Sequence, residues 1–403
     1  MLELRSNIRY EDERFLMFVM DQLANDYEKQ GQEVIRMTLG KSELPVRTEI
    51  TEAMADAVRD FSKASLVYPG GLPELKEELS QYYKQRYELD IPPNNFVISV
   101  GTSTLFRNLF QVLLQEGDEV LLPFPYYSLY HFCALLAGAT VKYYKIDTDT
   151  MALDMRSFRD NFTSRTKVVV INSPGNPLGN IITREELYHI DSIVGGQAVV
   201  INDEIYANIC FDEPSESVMQ LDHTVSTFIT TNAFSKGYRM YSRRVGYAIV
   251  PDQLVTPLTV IQHHTLLTLD PVVQYGAIEA LKHQDDVCLL EATYRERRDY
   301  TLAKFRDVPL AKALPSKGGF YIVLECADFM QTVGIETSLE LAERIMERTC
   351  VATVPGSDFG LPTTLRLSFS SKQYHKGIDR LAAFFMNVDE HKAADKRDVR
   401  LGS

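Results

Sequence analysis

The sequence predicts an α/β fold: a mostly parallel seven-stranded sheet sandwiched by helices in a large domain, plus a smaller α+β domain from both chain ends. Three observations support this prediction. Seven short β-rich runs alternate with helical stretches between residues 96 and 250. One run, residues 168–171, is continuously apolar, as in a strand covered on both faces. The chain of 403 residues is too long for one compact core, so two domains are expected.

Hydrophobic periodicity and Gly/Pro breaks place the individual elements. The strands of the large sheet are predicted at Phe96–Val100, Glu119–Leu122, Thr140–Lys145, Lys167–Ile171, Ala198–Ile201, Thr227–Thr231 and Gly246–Val250. Helical patterns cover Arg14–Gln30, Glu49–Phe61, Pro271–Val308 and Ser338–Thr349, and further strands are predicted at Gly319–Leu324 and Thr364–Phe369. The expected domains are residues 46–285 (large), 286–403 (C-terminal, small) and 1–45, which join the small domain.

Composition and charge argue against several functional classes. The hydrophobic fraction of 45% is typical of a soluble globular protein, and no apolar run is long enough to cross a membrane. The formal net charge of -13 disfavours nucleic acids and anionic membranes as partners. The first residues show no signal-peptide pattern. The five cysteines show neither paired nor metal-ligand spacing, which indicates no metal site and free thiols in a reducing cytoplasm.

Two motifs follow early strands of the predicted sheet. Gly101, Thr102 and Ser103 open a helix, where backbone N–H groups and hydroxyls would cradle a phosphate or simply cap the helix. The segment 123–130 places several aromatic rings on one loop, among them Tyr127. Core packing is the ordinary interpretation of such rings, and a stacked planar cofactor is the more specific one.

Three further motifs follow later strands. Asn176 lies in a Pro- and Gly-rich turn, and Asp203 is followed three residues later by Tyr206. Lys236 follows the next predicted strand, with Arg244 eight residues on. Each residue alone has an ordinary structural explanation as a turn residue, a helix cap or a surface charge. Their position at strand ends, where open α/β sheets bind ligands, favours a common site.

Taken in order, these motifs resemble the class I/II aminotransferases, the pyridoxal-5'-phosphate (PLP) enzymes with the aspartate aminotransferase fold. The resemblance spans residues 35–369. It implies that Lys236 holds PLP as a Schiff base and that Asp203 pairs with the protonated ring nitrogen. It also implies that Tyr206 and Asn176 bond the ring's phenolic oxygen and that Tyr127 stacks on the ring.

The same resemblance assigns the two anion sites. Gly101, Thr102, Ser103 and Arg244 are expected to bind the cofactor phosphate. Arg366, with Gly40 and Asn176, is expected to bind the substrate α-carboxylate. Tyr68 is expected to reach the phosphate of a neighbouring subunit, which implies a homodimer with shared sites. The chain departs from the family at Ala233, where a phosphate-binding serine is common; Ser235 or another hydroxyl is expected to compensate.

The function implied is transfer of an amino group from an L-amino acid to a 2-oxo acid by a ping-pong mechanism. The same residues would support a lyase, decarboxylase, racemase or oxidase reaction. A non-enzymatic sensor usually needs a separate DNA-binding domain, and a dinucleotide-dependent oxidoreductase needs a GxGxxG motif that is absent. The side-chain specificity stays open between aromatic and aliphatic substrates, since no second arginine is evident for an ω-carboxylate.

Overall fold

The computed structural model describes Ile8 and residues 15–388. The helices are α1 (Leu16–Lys29), α2 (Thr48–Arg59), α3 (Phe61–Ala64), α4 (Pro73–Tyr87), α5 (Gly101–Leu113), α6 (Ser128–Ala137), α7 (Met155–Asn161), α8 (Arg184–Val194), α9 (Asp252–Leu266), α10 (Pro271–Leu281), α11 (Gln284–Phe305), α12 (Ala327–Val333), α13 (Ser338–Thr349) and α14 (Tyr374–Met386). The strands are β1 (Ile35–Arg36), β2 (Phe96–Ser99), β3 (Glu119–Phe124), β4 (Thr140–Lys145), β5 (Thr166–Asn172), β6 (Val199–Asp203), β7 (Thr227–Ala233), β8 (Gly246–Ile249), β9 (Lys312–Ala313), β10 (Tyr321–Glu325), β11 (Val351–Ala352), β12 (Val354–Pro355) and β13 (Thr364–Ser368).

The large sheet has seven strands in the order β2-β8-β7-β6-β5-β3-β4. Strand β8 is antiparallel to both of its neighbours, and the other pairs are parallel. Strand β2 therefore runs in the same direction as β3–β7, and the carboxyl ends of these six strands share one edge. The predicted α/β fold, with a mostly parallel sheet of seven strands, is confirmed.

Side-chain alternation explains the apolar run in β5. Val168 and Val170 pack in one hydrophobic core, whereas Val169 and Ile171 pack in another. Since successive strand residues point to opposite faces, a strand covered on both sides needs apolar residues at every position. Helix α5 lies against the first of these cores through Phe106.

A second region packs beside the sheet. Strands β12-β13-β10-β9 form a four-stranded sheet, and β1 pairs in parallel with β11, so that Ile35 lies opposite Val351. Its core also joins distant parts of the chain, because Met20 of α1 packs in one cluster with Ile345 and Phe385. The predicted domain boundaries, which include residues outside the described part of the chain, stay predictions.

Some elements differ from the sequence prediction. The single helical stretch expected over 271–308 is two helices, α10 and α11, separated at Lys282 and His283. Two long helices, α4 and α9, were not predicted. Helix α4 has Pro73 at its first turn, and Pro257 inside α9 obscures the helical pattern. Within the described residues, no helix combines the length and apolarity needed to cross a bilayer.

Candidate active site

A cavity of about 350 Å³ lies at the carboxyl ends of the large-sheet strands, facing the second region. Motifs that are far apart in sequence meet here because those strand ends share an edge. Most of the predicted site residues line it: Gly40, Thr102, Ser103, Tyr127, Asn176, Asp203, Tyr206, Ser235, Lys236, Arg244 and Arg366. Gly101 and Tyr68 are not part of this lining, although Gly101 lies next to Arg244.

Lys236 follows β7 and is buried in the cavity wall. Its Nζ donates a hydrogen bond of 2.6 Å to the Gly40 carbonyl oxygen. Burial lowers the pKa of the Lys236 amine, because a charged ammonium loses its hydration there. A buried amine with a lowered pKa is suited to act as a nucleophile and as a base.

Asp203 ends β6 and is buried among neutral hydrogen-bond donors. Its Oδ2 accepts from the Tyr130 hydroxyl at 2.6 Å, and its Oδ1 accepts from the Thr231 hydroxyl at 3.2 Å and the Ile205 N–H at 3.3 Å. Burial raises the pKa of Asp203 to about 6, despite these bonds. A buried carboxylate with neutral partners fits a ligand that brings a positive charge.

Other residues of the cavity lining present groups suited to a phosphate. Thr102 and Ser103 lie in the first turn of α5. Arg244 Nη1 donates to the Ser235 hydroxyl at 3.4 Å and to the Tyr241 carbonyl at 3.2 Å. Gly101 has a φ of +76°, and a Cβ there would overlap the Arg244 guanidinium. The glycine therefore leaves room for the arginine beside the helix N-terminus, and Ser235 supplies a hydroxyl that Ala233 lacks.

Arg366 of β13 also lines the cavity and is only 2% exposed. Its Nη1 donates to Asn176 Oδ1 at 3.1 Å, and its Nη2 donates to the Thr38 carbonyl at 2.8 Å. Its Nε has no hydrogen-bond partner among the described residues. The guanidinium also lies over the ring of Tyr321, at 3.9 Å from the centroid. The direct hydrogen-bond partners of this buried cation are neutral, and Asp358 acts on it only through its charge, so an anionic ligand fits here.

Sequence reasoning missed several residues of the site. Tyr130 lies one helical turn after Tyr127, so the aromatic loop contained a signal for it. Tyr321 lies in a strand of the second sheet and reads as an ordinary core residue. Phe15 and Met17, at the start of α1, also line the cavity, although nothing local marks them as site residues.

Residues 32–384 match the family model for aminotransferases of class I and II. This protein belongs to that family. The aminotransferase is 30% identical to an aspartate aminotransferase of Bacillus sp. (strain YM-2), over 90% of this chain and 94% of the relative. It is 29% identical to a probable aspartate/prephenate aminotransferase of Aquifex aeolicus, over 89% and 92%.

Solved structures agree with this assignment. The aminotransferase superimposes on the Thermotoga maritima aspartate aminotransferase with a TM-score of 0.84 and 28% identity, covering 94% of this chain and 99% of the other. A double mutant of the Thermus thermophilus aspartate aminotransferase gives a TM-score of 0.85 at 26% identity, covering 95% and 100%.

The protein is thus a PLP-dependent aminotransferase, as the sequence predicted. The residues of the cavity fit this cofactor. A protonated ring nitrogen matches the buried Asp203, a phosphate matches Arg244 beside the N-terminus of α5, and an aldehyde matches the buried Lys236 amine. No observation favours the lyase, decarboxylase, racemase or oxidase alternatives.

Proposed function

We propose that this aminotransferase moves an amino group from an L-amino acid to a 2-oxo acid, with Lys236 as the residue that carries PLP. The observation that supports this most directly is the position of the Lys236 amine. It is buried in the wall of one cavity that Asp203 and Arg366 also line. An amine in that position is available both to the cofactor and to the Cα proton of a substrate.

When bound, PLP supplies an electron sink for the electrons released at Cα. In our proposal, Asp203 keeps the ring nitrogen protonated, and Tyr206 and Asn176 bond the phenolic oxygen. Tyr127 provides the ring that stacks on the cofactor. Tyr130 orients the Asp203 carboxylate through its 2.6 Å hydrogen bond.

The two arginines divide the anionic groups between them. Arg244, with Thr102, Ser103, Ser235 and the N-terminus that begins at Gly101, binds the phosphate in this proposal, because a guanidinium bonds phosphate oxygens bidentately.

Arg366 binds the substrate α-carboxylate, because its Nε is unpartnered and it is held in place by Asn176 and Thr38. Gly40 also lines the cavity, and in this proposal its backbone approaches the same carboxylate. Lys236 then moves the proton at Cα, since its lowered pKa favours the neutral amine.

We further propose that the preferred amino donor has an apolar or aromatic side chain. Phe15, Met17, Phe18 and Leu129 line the cavity, and Met17 Sδ lies 3.4 Å from Arg366 Nη2. The alternative is an amino donor with an acidic side chain, because several relatives are named aspartate aminotransferases. A panel of donors against 2-oxoglutarate and pyruvate distinguishes the two. Higher kcat/KM for phenylalanine or leucine than for aspartate is expected, and the reverse order would refute the proposed specificity.

A homodimer with shared sites is also part of the proposal. Tyr68 is 41% exposed outside the cavity, and apolar side chains on the segments before it are exposed as well: Val58, Phe61 and Val67. Exposed apolar groups of this kind are typical of an interface. We propose that this surface packs on a second copy and brings Tyr68 to the phosphate site of that copy.

A cytoplasmic location is proposed because the five cysteines are free thiols.

Reduction with borohydride tests the central assignment. The purified protein should be yellow, and borohydride should abolish the visible band and fix the cofactor mass on the peptide that contains Lys236. Lys236→Ala should bind PLP reversibly and lose turnover by several orders of magnitude. A label on any other lysine would show that the assignment of Lys236 is wrong.

A further inference from the structure

Tyr321 connects the two groups on which the proposed chemistry depends. It is buried at the start of β10, and its hydroxyl accepts a hydrogen bond from the Tyr206 hydroxyl at 3.4 Å. The same hydroxyl lies within hydrogen-bonding reach of the Lys236 amine. A Cβ at Gly40 would overlap both the Tyr321 hydroxyl and Lys236 Nζ, so the two groups meet at that glycine.

The ring of Tyr321 has a second contact. The Arg366 guanidinium lies over it at 3.9 Å from the centroid, while Phe359 lies 4.6 Å from the same guanidinium. A cation stacked on an aromatic face is held both in position and in orientation. One side chain therefore touches the amine through its hydroxyl and supports the carboxylate-binding arginine through its ring.

The positive charges around Tyr321 change the pKa of its hydroxyl. Burial alone would raise the pKa of Tyr321, but the positive charges of Lys236 and Arg366 outweigh burial and lower it. Burial raises the pKa of Tyr206 far above its ordinary value. Of these two bonded phenols, Tyr321 is thus the better acceptor, which agrees with the hydrogen bond that it accepts from Tyr206 and with its attraction for a protonated Lys236 amine.

We propose that Tyr321 is a further positioning residue of the aminotransferase: its hydroxyl orients the Lys236 amine for proton transfer, and its ring orients Arg366 for the substrate carboxylate. This inference rests on the proposed roles of Lys236 and Arg366. It adds a residue from the second sheet, so the geometry of the amine depends on how that sheet packs against the large one.

Two variants separate the functions of the hydroxyl and the ring. Tyr321→Phe keeps the ring, so it should hold PLP through dialysis and keep KM for the amino acid within about twofold, while kcat falls about tenfold. An α-deuterated donor should show a larger isotope effect in this variant, because proton transfer limits its rate more. Tyr321→Leu removes the ring as well, and its KM should rise about tenfold or more.

A spectroscopic measurement complements the kinetics. The visible absorption of the bound cofactor, titrated from acid to alkaline pH, should change at lower pH in Tyr321→Phe than in the wild type. In the cofactor-free protein the hydroxyl favours the protonated Lys236 nitrogen. We expect the same direction when that nitrogen holds the cofactor, so removal of the hydroxyl should lower its pKa. The other charged or titratable groups around the amine are unchanged in the variant: Asp203, Tyr206, Tyr241, Arg244 and Arg366.

Tyr374→Phe is the matched control. It removes a buried hydroxyl that bonds Thr301 at 2.8 Å, outside the cavity lining, and should leave kcat and the absorption titration unchanged. Wild-type kcat, isotope effect and titration in Tyr321→Phe would overturn the inference. If borohydride still labels Lys236 in that case, only the role of Tyr321 fails. A label elsewhere would refute the proposed function itself.

Discussion

At the scale of single residues, the two arginines that line the cavity are proposed to bind different anions. Arg244→Ala should weaken PLP retention, so the protein should bleach on dialysis. Arg366→Ala should stay yellow but lose about 30- to 4000-fold in kcat/KM for amino acids, because a desolvated charge-assisted contact contributes about 2–5 kcal/mol. An amine without a carboxylate should be insensitive to the second change. Bleaching of Arg366→Ala would mean that the two roles are assigned wrongly.

The buried carboxyl group of Asp203 makes the stability of the cofactor-free protein depend on pH. Its pKa in the cofactor-free protein is about 6, above the ordinary value of 3.8, so folding favours its neutral form. Stability is therefore unaffected by this group below about pH 4, falls as pH rises from about 4 to 6, and stays reduced above that range.

Asp203→Asn removes the free-energy cost of burying a charged carboxylate. The amide nitrogen of the asparagine can take the place of Oδ2 and donate to the Tyr130 oxygen. The cofactor-free variant should be about 1–3 kcal/mol more stable than wild type near neutral pH, with a smaller gap at about pH 5. Urea denaturation at the two pH values measures this. Turnover of the loaded variant should fall sharply, because a neutral amide does not hold a ring nitrogen protonated. A variant that is less stable near neutral pH would contradict the burial argument.

At the scale of secondary structure, the start of α1 is held by a distant carboxylate. Asp358 accepts hydrogen bonds from the Leu16 N–H at 3.0 Å and the Met17 N–H at 3.3 Å. These bonds cap the helix whose first residues line the cavity. Asp358→Ala should cost about 1 kcal/mol and raise KM for apolar donors a few fold, since Phe15 and Met17 are no longer fixed.

Asp154→Ala provides the comparison for this prediction. Asp154 caps α7 by the same kind of bond, to the N–H groups of Arg156 and Ser157, and none of these residues lines the cavity. Its loss should destabilise the protein by a similar amount, measured by thermal melting, without changing KM. Equal KM values for the two variants would show that the start of α1 does not contribute to substrate binding.

At the scale of the whole molecule, the proposed homodimer with shared active sites predicts complementation. Lys236→Ala and Tyr68→Ala proteins should each be impaired, but a hybrid dimer of the two contains one site with both native residues. After complete subunit exchange, half of the dimers are hybrids, so about a quarter of the wild-type activity should return. Activity measured before and after mixing, with sedimentation to verify the dimer, tests this. No recovery in a verified dimer would place Tyr68 in its own subunit's site or in none.

Local sequence patterns were sufficient to predict much of the fold and many of the site motifs. The seven strands of the large sheet were predictable because apolar runs such as residues 168–171 end at Gly, Pro or polar residues. The motifs around Asp203, Lys236 and Arg244 were recognisable because each is a short contiguous segment next to a strand of the large sheet. The prediction of a single helix over 271–308 was wrong because the two-residue break at Lys282 and His283 contains no Gly or Pro that would mark it.

The amino-acid order was enough to establish the fold class, the family and most of the segments that line the cavity, because strand periodicity and short motifs are local properties. Packing alone established the contacts between those segments. Tyr130 bonds Asp203 across 73 residues of chain, and Arg366 bonds Thr38 across 328. Tyr321 meets Lys236 only where the second sheet lies against the large one. No local signal encodes such contacts, since they depend on how separately formed layers bury their surfaces against each other.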